Sequence, residues 1–312
     1  MLTDILLLVM GFVILVLSSR IAIRRLLNIS KHFGISEFLV SFFIVGTVAV
    51  FPELAIGINS AIKGISSFGF GVVVGSNIVD LTLIMGIFIL SSYKIKLHAA
   101  TVKQSKRFLF AIIMPILLII DGILSRVDGF ILITAFIAYV VISLKSKLNS
   151  SAASKKEKFN LLFEFGILAI CLYALLFAGS IITDVSETLS IALSIPIFIL
   201  GTILAIGTCI PELTFAIQSS KSKHSELGVG DILGNVFADC MLTLGIIALI
   251  HPIVFEQKLF AISDGIFMIF SMLAVLYVFN RKTILSKKHG LILISLYFVF
   301  ILLQNLLGKI FI

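Results

Sequence analysis

Apolar residues fill long stretches of this chain, such as 110–120 (FAIIMPILLII) and 290–303 (GLILISLYFVFILL), and polar residues gather in short clusters between them. Dividing the chain at those clusters predicts ten helices of roughly 17–25 residues, the length a bilayer core requires. They cover 4–24, 36–62, 69–91, 107–124, 129–145, 161–182, 190–219, 228–250, 262–280 and 290–308. The second and seventh are long enough to tilt or break. The expected fold is an all-α membrane protein with ten transmembrane helices.

Composition agrees with lipid as the main solvent. Apolar residues make up 60% of the 312 positions and charged residues only 13%, with a mean hydropathy of +1.21. A soluble domain carries about a quarter charged residues, so this chain has too few to cover its surface in water. The formal charge of +8 comes from 24 Lys and Arg against 16 Asp and Glu. Nucleic-acid binding would set such residues on one exposed face or helix. Here they cluster between apolar spans, as in membrane loops, and no nucleic-acid partner is expected.

The same residues orient the spans. Twenty of the 24 Lys and Arg fall in the loops after spans 1, 3, 5, 7 and 9. The other side holds Lys63, Arg126, Lys258 and Lys309. By the positive-inside rule the first set is cytoplasmic and both termini are extracytoplasmic, with the cell's plasma membrane the expected location. The first apolar run is followed, not preceded, by Arg20, Arg24 and Arg25, which reads as a retained helix rather than a cleaved leader. Residues 146–160 (SKLNSSAASKKEKFN) read as a flexible cytoplasmic linker between a first half, 1–145, and a second, 161–312. Cys171, Cys209 and Cys240 lie within apolar spans without tandem spacing, and read as packing residues.

The halves share a pattern at one constant offset of 159 residues. Pro52-Glu53 recurs as Pro211-Glu212, and Gly71, Gly75, Asp80 and Gly86 recur as Gly230, Gly234, Asp239 and Gly245. The repeat motifs lie within 46–86 and 205–245. Five spans, an odd number, separate the copies, so the second enters the membrane upside down. Two inverted five-helix repeats with binding groups near the midplane are an architecture of secondary transporters.

Five carboxylates fall inside the repeat spans: Glu53, Asp80, Glu212, Asp231 and Asp239. A carboxylate costs on the order of 2.5–3.5 kcal/mol in the bilayer centre on insertion scales. Glu37 and Glu164 sit where a side chain reaches the interface, but Glu53 and Glu212 lie deep in their spans. Each follows a proline, which removes a backbone donor and frees carbonyls nearby. Freed carbonyls beside a carboxylate form an oxygen-rich pocket, tolerated in a membrane where it is buried or lines a cavity. Calcium takes 6–8 oxygen ligands in flexible geometry. Asp231, Asn235 and Asp239 repeat at i, i+4 and i+8 and share one helical face, matched by Val72, Ser76 and Asp80 in the first copy. Such a stripe, with its glycines, also serves as glue between helices. The five histidines, His32, His98, His224, His251 and His289, fall in loops or at span ends. No HExxH, GxSxG or Walker motif is present, so neither an enzyme nor a resident cofactor is expected.

These residues resemble the calcium/cation antiporters, the superfamily that includes the sodium/calcium exchangers, whose two inverted repeats read G-T-S-x-P-E followed by G-N-x-x-G-S-N-x-x-D. The second copy here runs Gly207-Thr208-Cys209-Ile210-Pro211-Glu212, then Gly230-Asp231-Ile232-Leu233-Gly234-Asn235-Val236-Phe237-Ala238-Asp239. The first runs Val48-Ala49-Val50-Phe51-Pro52-Glu53, then Gly71-Val72-Val73-Val74-Gly75-Ser76-Asn77-Ile78-Val79-Asp80. The resemblance implies a Ca2+ site at Glu53 and Glu212, completed by Thr208 and backbone carbonyls. It also implies flanking Na+ sites using Asp80, Asp239 and hydroxyl positions such as Ser76. The sequence departs from the pattern at Ala49 and Val50, where the family has Thr and Ser, at Cys209 and Asn235 for Ser, at Val236 for Asn, and at Asp231 for Asn.

Three functions follow as expectations. The first is exchange of Ca2+ for Na+ by alternating access, peripheral helices moving against a central core. The second is exchange of Ca2+, or another divalent cation, for H+, since one of several crowded carboxylates can carry a proton. The third is a non-transporting scaffold or cation sensor with degraded repeats.

Overall fold

A computed structural model describes residues 2–32, 49–92, 95–96, 99–145, 161–220, 225–255, 258–281 and 284–311. The linker 146–160 and the predicted helical stretch 36–48 lie outside the described residues. The structure is almost entirely helical. Helix α1 is Leu2–His32, α2 Phe51–Ile62 and α3 Ser66–Val79, which passes through a π-helical turn, Asp80–Ile84, into α4, Met85–Ser91. Helices α5 (Ala99–Leu118) and α6 (Arg126–Lys145) close the first half. The second half has α7 (Leu161–Leu193), α8 (Ile197–Thr208), α9 (Ile210–Ser220) and α10 (Ser225–Ala238). A second π-helical turn, Asp239–Thr243, leads into α11 (Leu244–Ile250), followed by α12 (Lys258–Arg281) and α13 (Lys287–Phe311).

Among the described residues seven helical stretches are long and apolar enough to cross a membrane. The predicted tally of ten is therefore not met as ten such crossings. The second predicted span is described only from residue 49. The fourth is a helix whose apolar part is only Phe108–Leu118, and the fifth is the 20-residue α6. A boundary also moves. The sixth helix is expected to end at 182 and the seventh to start at 190, a division at the polar cluster 183–187 (TDVSE). In the structure α7 continues to Leu193 and α8 begins at Ile197. Nothing in TDVSE stops a helix. The break comes at Ser194, with φ 55°, just before Pro196. Polarity at 184 has a partner instead: Asp184 forms an ion pair with Lys63, next to the end of α2.

The offset of 159 residues governs backbone shape as well as sequence. Both π-helical turns start on the repeat aspartate, at 80 and at 239. Both motif helices begin anew beside the residue two before the proline, at Val50 and Cys209. Contacts between halves are matched too. Gly86 and Gly290 face each other's backbone, and so do Gly245 and Gly129: a Cβ on Gly86 would stand 2.8 Å from the Gly290 carbonyl oxygen, and one on Gly129 2.7 Å from that of Gly245. Within each copy a serine hydroxyl closes on a glycine, Ser60 on Gly69 and Ser219 on Gly228. At the ends of the bundle, two-residue strands cross between the halves. Strand β1 (Ile95–Lys96) pairs antiparallel with β4 (Ile284–Leu285), and β2 (Ile123–Leu124) with β3 (Ile253–Val254).

Helices α3 and α8 approach each other closely through Gly71, Gly75 and Gly201. Lipid tails are as apolar as leucine, so close packing rather than the hydrophobic effect must hold such helices together. A Cβ on Gly75 would lie 2.7 Å from the Thr202 carbonyl oxygen and 2.9 Å from its Cα. Backbone cannot step aside as a side-chain tip can. Gly75→Ala is expected to destabilise the protein by about 1–3 kcal/mol, read as a lower melting temperature in detergent; an unchanged melt would mean that the helices can separate freely. Helices α1 and α7 pack chiefly on each other and form an outer layer only one-third buried. Arg20 of α1 bonds Thr214 of α9, and Arg25 reaches Glu164 of α7 at 3.3 Å.

Candidate functional site: a carboxylate centre between the repeats

Sequence dictates where the helices open. Pro211 has no N–H, so the Gly207 carbonyl loses the donor that would continue α8 into α9. The chain turns at Cys209, with φ −80° and ψ 5°, and restarts. Val50 does the same before Pro52, with φ −74° and ψ 0°. Glu53 and Glu212 therefore both sit in the first turn of a short helix, where the helix dipole favours negative charge.

All eight predicted site residues lie in the interior: Glu53, Ser76, Asp80, Thr208, Glu212, Asp231, Asn235 and Asp239 are each buried. Glu212 is within charge–charge range of Glu53, Asp80 and Asp231, and Asp239 is within range of Glu53 and Asp80. The two repeats thus bring their carboxylates to one centre. Thr208 stands beside Glu53, its hydroxyl hydrogen directed to the Ala205 carbonyl at 2.8 Å. Two bonds cross the centre as mirror partners. Asn235 Nδ2 donates to Asp80 Oδ2 at 2.6 Å, and Ser76 Oγ lies 3.1 Å from Asp239 Oδ2. Positions 76 and 235 are repeat mates, as are 80 and 239. Each aspartate is steadied by the other copy.

The remaining oxygens have no donors. Both carboxylate oxygens of Glu53, both of Glu212, and Oδ1 of Asp80, Asp231, Asn235 and Asp239 are buried without a hydrogen-bond partner. A buried acceptor left unpaired costs free energy, and a cation is a partner that such oxygens can take. Among the described residues no three His, Cys, Asp or Glu side chains stand close enough together to hold one metal ion. The first copy contributes no hydroxyl at Ala49 or Val50, which are buried and apolar.

Several neighbours were not singled out from sequence. Thr243 is buried at the end of the second π-helical turn, its hydroxyl beside Asp239; the i+4 stripe of Asp231, Asn235 and Asp239, continued once more, finds it. Asn77 is fully buried and its amide points at Cys240 Sγ, 3.4 Å away. Cys209 approaches the Ser76 carbonyl at 3.7 Å. Both cysteines belong to the apolar core, as packing residues do, and Cys209 also reaches the backbone of a site residue. A separate cavity of about 360 Å³ opens at one end of the bundle beside Ser66, Pro196 and His251, and no carboxylate of the centre lines it.

The chain is similar to known proteins. The family model for sodium/calcium exchanger protein matches residues 3–145 and again 163–306, one match to each half. The chain is 24% identical over 341 aligned positions to the sodium/calcium exchanger MaX1 of Methanosarcina acetivorans, covering 95% of this chain and 97% of the relative. It is 22% identical to the inner membrane protein YrbG of Escherichia coli, covering 92% of each. A solved structure of the sodium-calcium exchanger NCX_Mj superposes with a TM-score of 0.68 at 23% identity, over 96% of this chain and 97% of that one. With both halves matched separately, this integral membrane protein belongs to the sodium/calcium exchanger protein family of cation antiporters.

Proposed function

We propose that this protein exchanges Ca2+ for Na+ across the plasma membrane, with both termini extracytoplasmic and Ca2+ held between Glu53 and Glu212. The observation that carries the reading is the set of eight buried, donorless oxygens contributed by both repeats. Carboxylates mixed with amide oxygens suit the flexible oxygen shell that calcium takes, and Thr208 and backbone carbonyls add to those of the two glutamates. Like charges hold the carboxylates apart, and a divalent ion draws them together, so occupancy and closure are linked. Asp80 and Asp239, each already fixed by the opposite copy, supply the flanks where Na+ competes. The α1–α7 layer, tethered to the core by Arg20 and by Lys63 with Asp184, is the natural moving part, switching access from one side to the other.

One observation favours a second reading, exchange of Ca2+ for H+. Ala49, Val50 and Cys209 place apolar or sulfur groups where neutral oxygens would hold Na+, while Asp231 adds a carboxylate within reach of Glu212. The test is tracer-calcium uptake into proteoliposomes. Uptake driven by an outward Na+ gradient is expected. Uptake driven only by a pH gradient would replace Na+ with H+, and no uptake by folded protein under either gradient would end both readings.

A further inference from the structure

Outside the carboxylate centre the described residues bury two more acids: Glu164, which meets Arg25, and one on α12. Asp264, in the second turn of α12, is 2% exposed. Its repeat mate, 159 residues earlier, is Ser105, so the acid belongs to the second half alone. Every group that meets it is neutral. Gln304 of α13 donates from Nε2 to Oδ1, Ser263 Oγ lies 3.4 Å from Oδ1, and Thr202 Oγ1 of α8 lies 3.5 Å from Oδ2.

The surrounding elements carry their charged residues at other levels of the sequence. Helices α3 and α8 contain none. The first π-helical turn brings Asp80, whose Oδ2 is engaged by Asn235. Helix α5 carries Lys103, Lys106 and Arg107 in its first half, and Asp264 lies near the β2–β3 end, where α5 finishes. Helix α13 carries Lys287, Lys288 and His289 at its start and Lys309 beyond Gln304. On α12 itself the charges are Lys258, a turn and a half before Asp264, and Arg281 at the far end.

The decisive atom is Gln304 Oε1. It is buried and has no donor. An ionised Asp264 offers only acceptors and cannot serve it. A protonated Asp264 can, because a carboxylic acid and a primary amide form a closed pair: the acid O–H donates to Oε1 while the amide N–H donates back. That arrangement satisfies both side chains and leaves no net charge in a region where an unpaired charge is costly.

We propose that Asp264 is a proton-binding site separate from the carboxylate centre, its bound proton closing an acid–amide pair with Gln304 that joins α12 and α13 beside Thr202 of α8. Helix α8 leads directly to the break before Glu212. The protonated pair ties α12 to α13 against that helix, and loss of the proton leaves a buried carboxylate facing an amide oxygen. Because the bound proton belongs to the closed form, the anchor is intact at lower pH and is lost as pH rises through the titration of Asp264.

Infrared difference spectra of the purified protein test this without any transport. Wild type minus Asp264→Asn should show one carboxylic-acid C=O band at neutral pH that disappears on alkaline titration. Asparagine can make the same closed pair, so Asp264→Asn should fold, and its melting temperature should fall less than that of wild type as pH rises. Gln304→Leu is the independent check, because its acid band should move to the frequency of an acid lacking its amide partner. No acid band at neutral pH, or parallel melting profiles for wild type and Asp264→Asn, would overturn the proton site, and an unmoved band in Gln304→Leu would overturn the pairing. None of these outcomes depends on which ions are exchanged.

Discussion

Glu53→Gln and Glu212→Gln are each expected to abolish calcium exchange in proteoliposomes while leaving the protein folded. Glutamine matches glutamate in size and keeps an oxygen, so packing survives. What goes is a full negative charge in a buried centre. Removing one partner of a desolvated charged contact costs about 2–5 kcal/mol, and about 3 kcal/mol corresponds to roughly 100-fold in affinity. Isothermal titration with Ca2+ should show that drop in either variant, and tracer uptake should reach the background of empty vesicles. Uptake surviving in both would remove these glutamates from the site. The neutral variants should also be at least as thermostable as wild type without divalent ions, since each relieves repulsion among Glu53, Glu212 and Asp80.

A second large effect is expected at Asn235. Its amide supplies the 2.6 Å hydrogen bond to Asp80, and Asp80 Oδ1 has no donor of its own. Asn235→Leu leaves that aspartate buried without this bond, at a cost of about 1–3 kcal/mol or more for a charged group. The expected result is a lower melting temperature together with weakened divalent binding. Asn235→Ser should recover much of the loss, because Ser76, the repeat mate, reaches Asp239 in the equivalent place. If leucine and serine behave alike, the cross-repeat bond is not what holds Asp80.

The centre was legible in the sequence because membranes make its ingredients conspicuous. An acid after a proline inside an apolar run has few innocent explanations, and a constant offset doubles the signal at Glu53/Glu212 and Asp80/Asp239. The departures were legible for the same reason: Ala49, Val50 and Asp231 stand out only against their repeat mates or the family pattern. Helix ends were harder. TDVSE at 183–187 has loop composition, but its acid is paired with Lys63 from a distant helix, a tertiary contact that no local pattern reveals. The π-helical turns were hidden for a related reason. One extra residue in a turn leaves no compositional mark, and only its recurrence at Asp80 and Asp239 shows that it is built in. Asp264 was missed because it sits near a span end, where acids usually meet water, and because its partners Thr202 and Gln304 come from elements 62 and 40 residues away.

The crossed strand pairs bear on how the molecule comes apart. Strand β1 holds to β4 and β2 to β3, so each half is fastened to the other at two separate rims, and the facing glycines clasp them again in between. Neither half retains a finished edge when its partner is taken away. Melting should then proceed as a single event with no stable half-molecule along the way, and a nick introduced between residues 146 and 160 would leave the two pieces holding each other without a peptide bond.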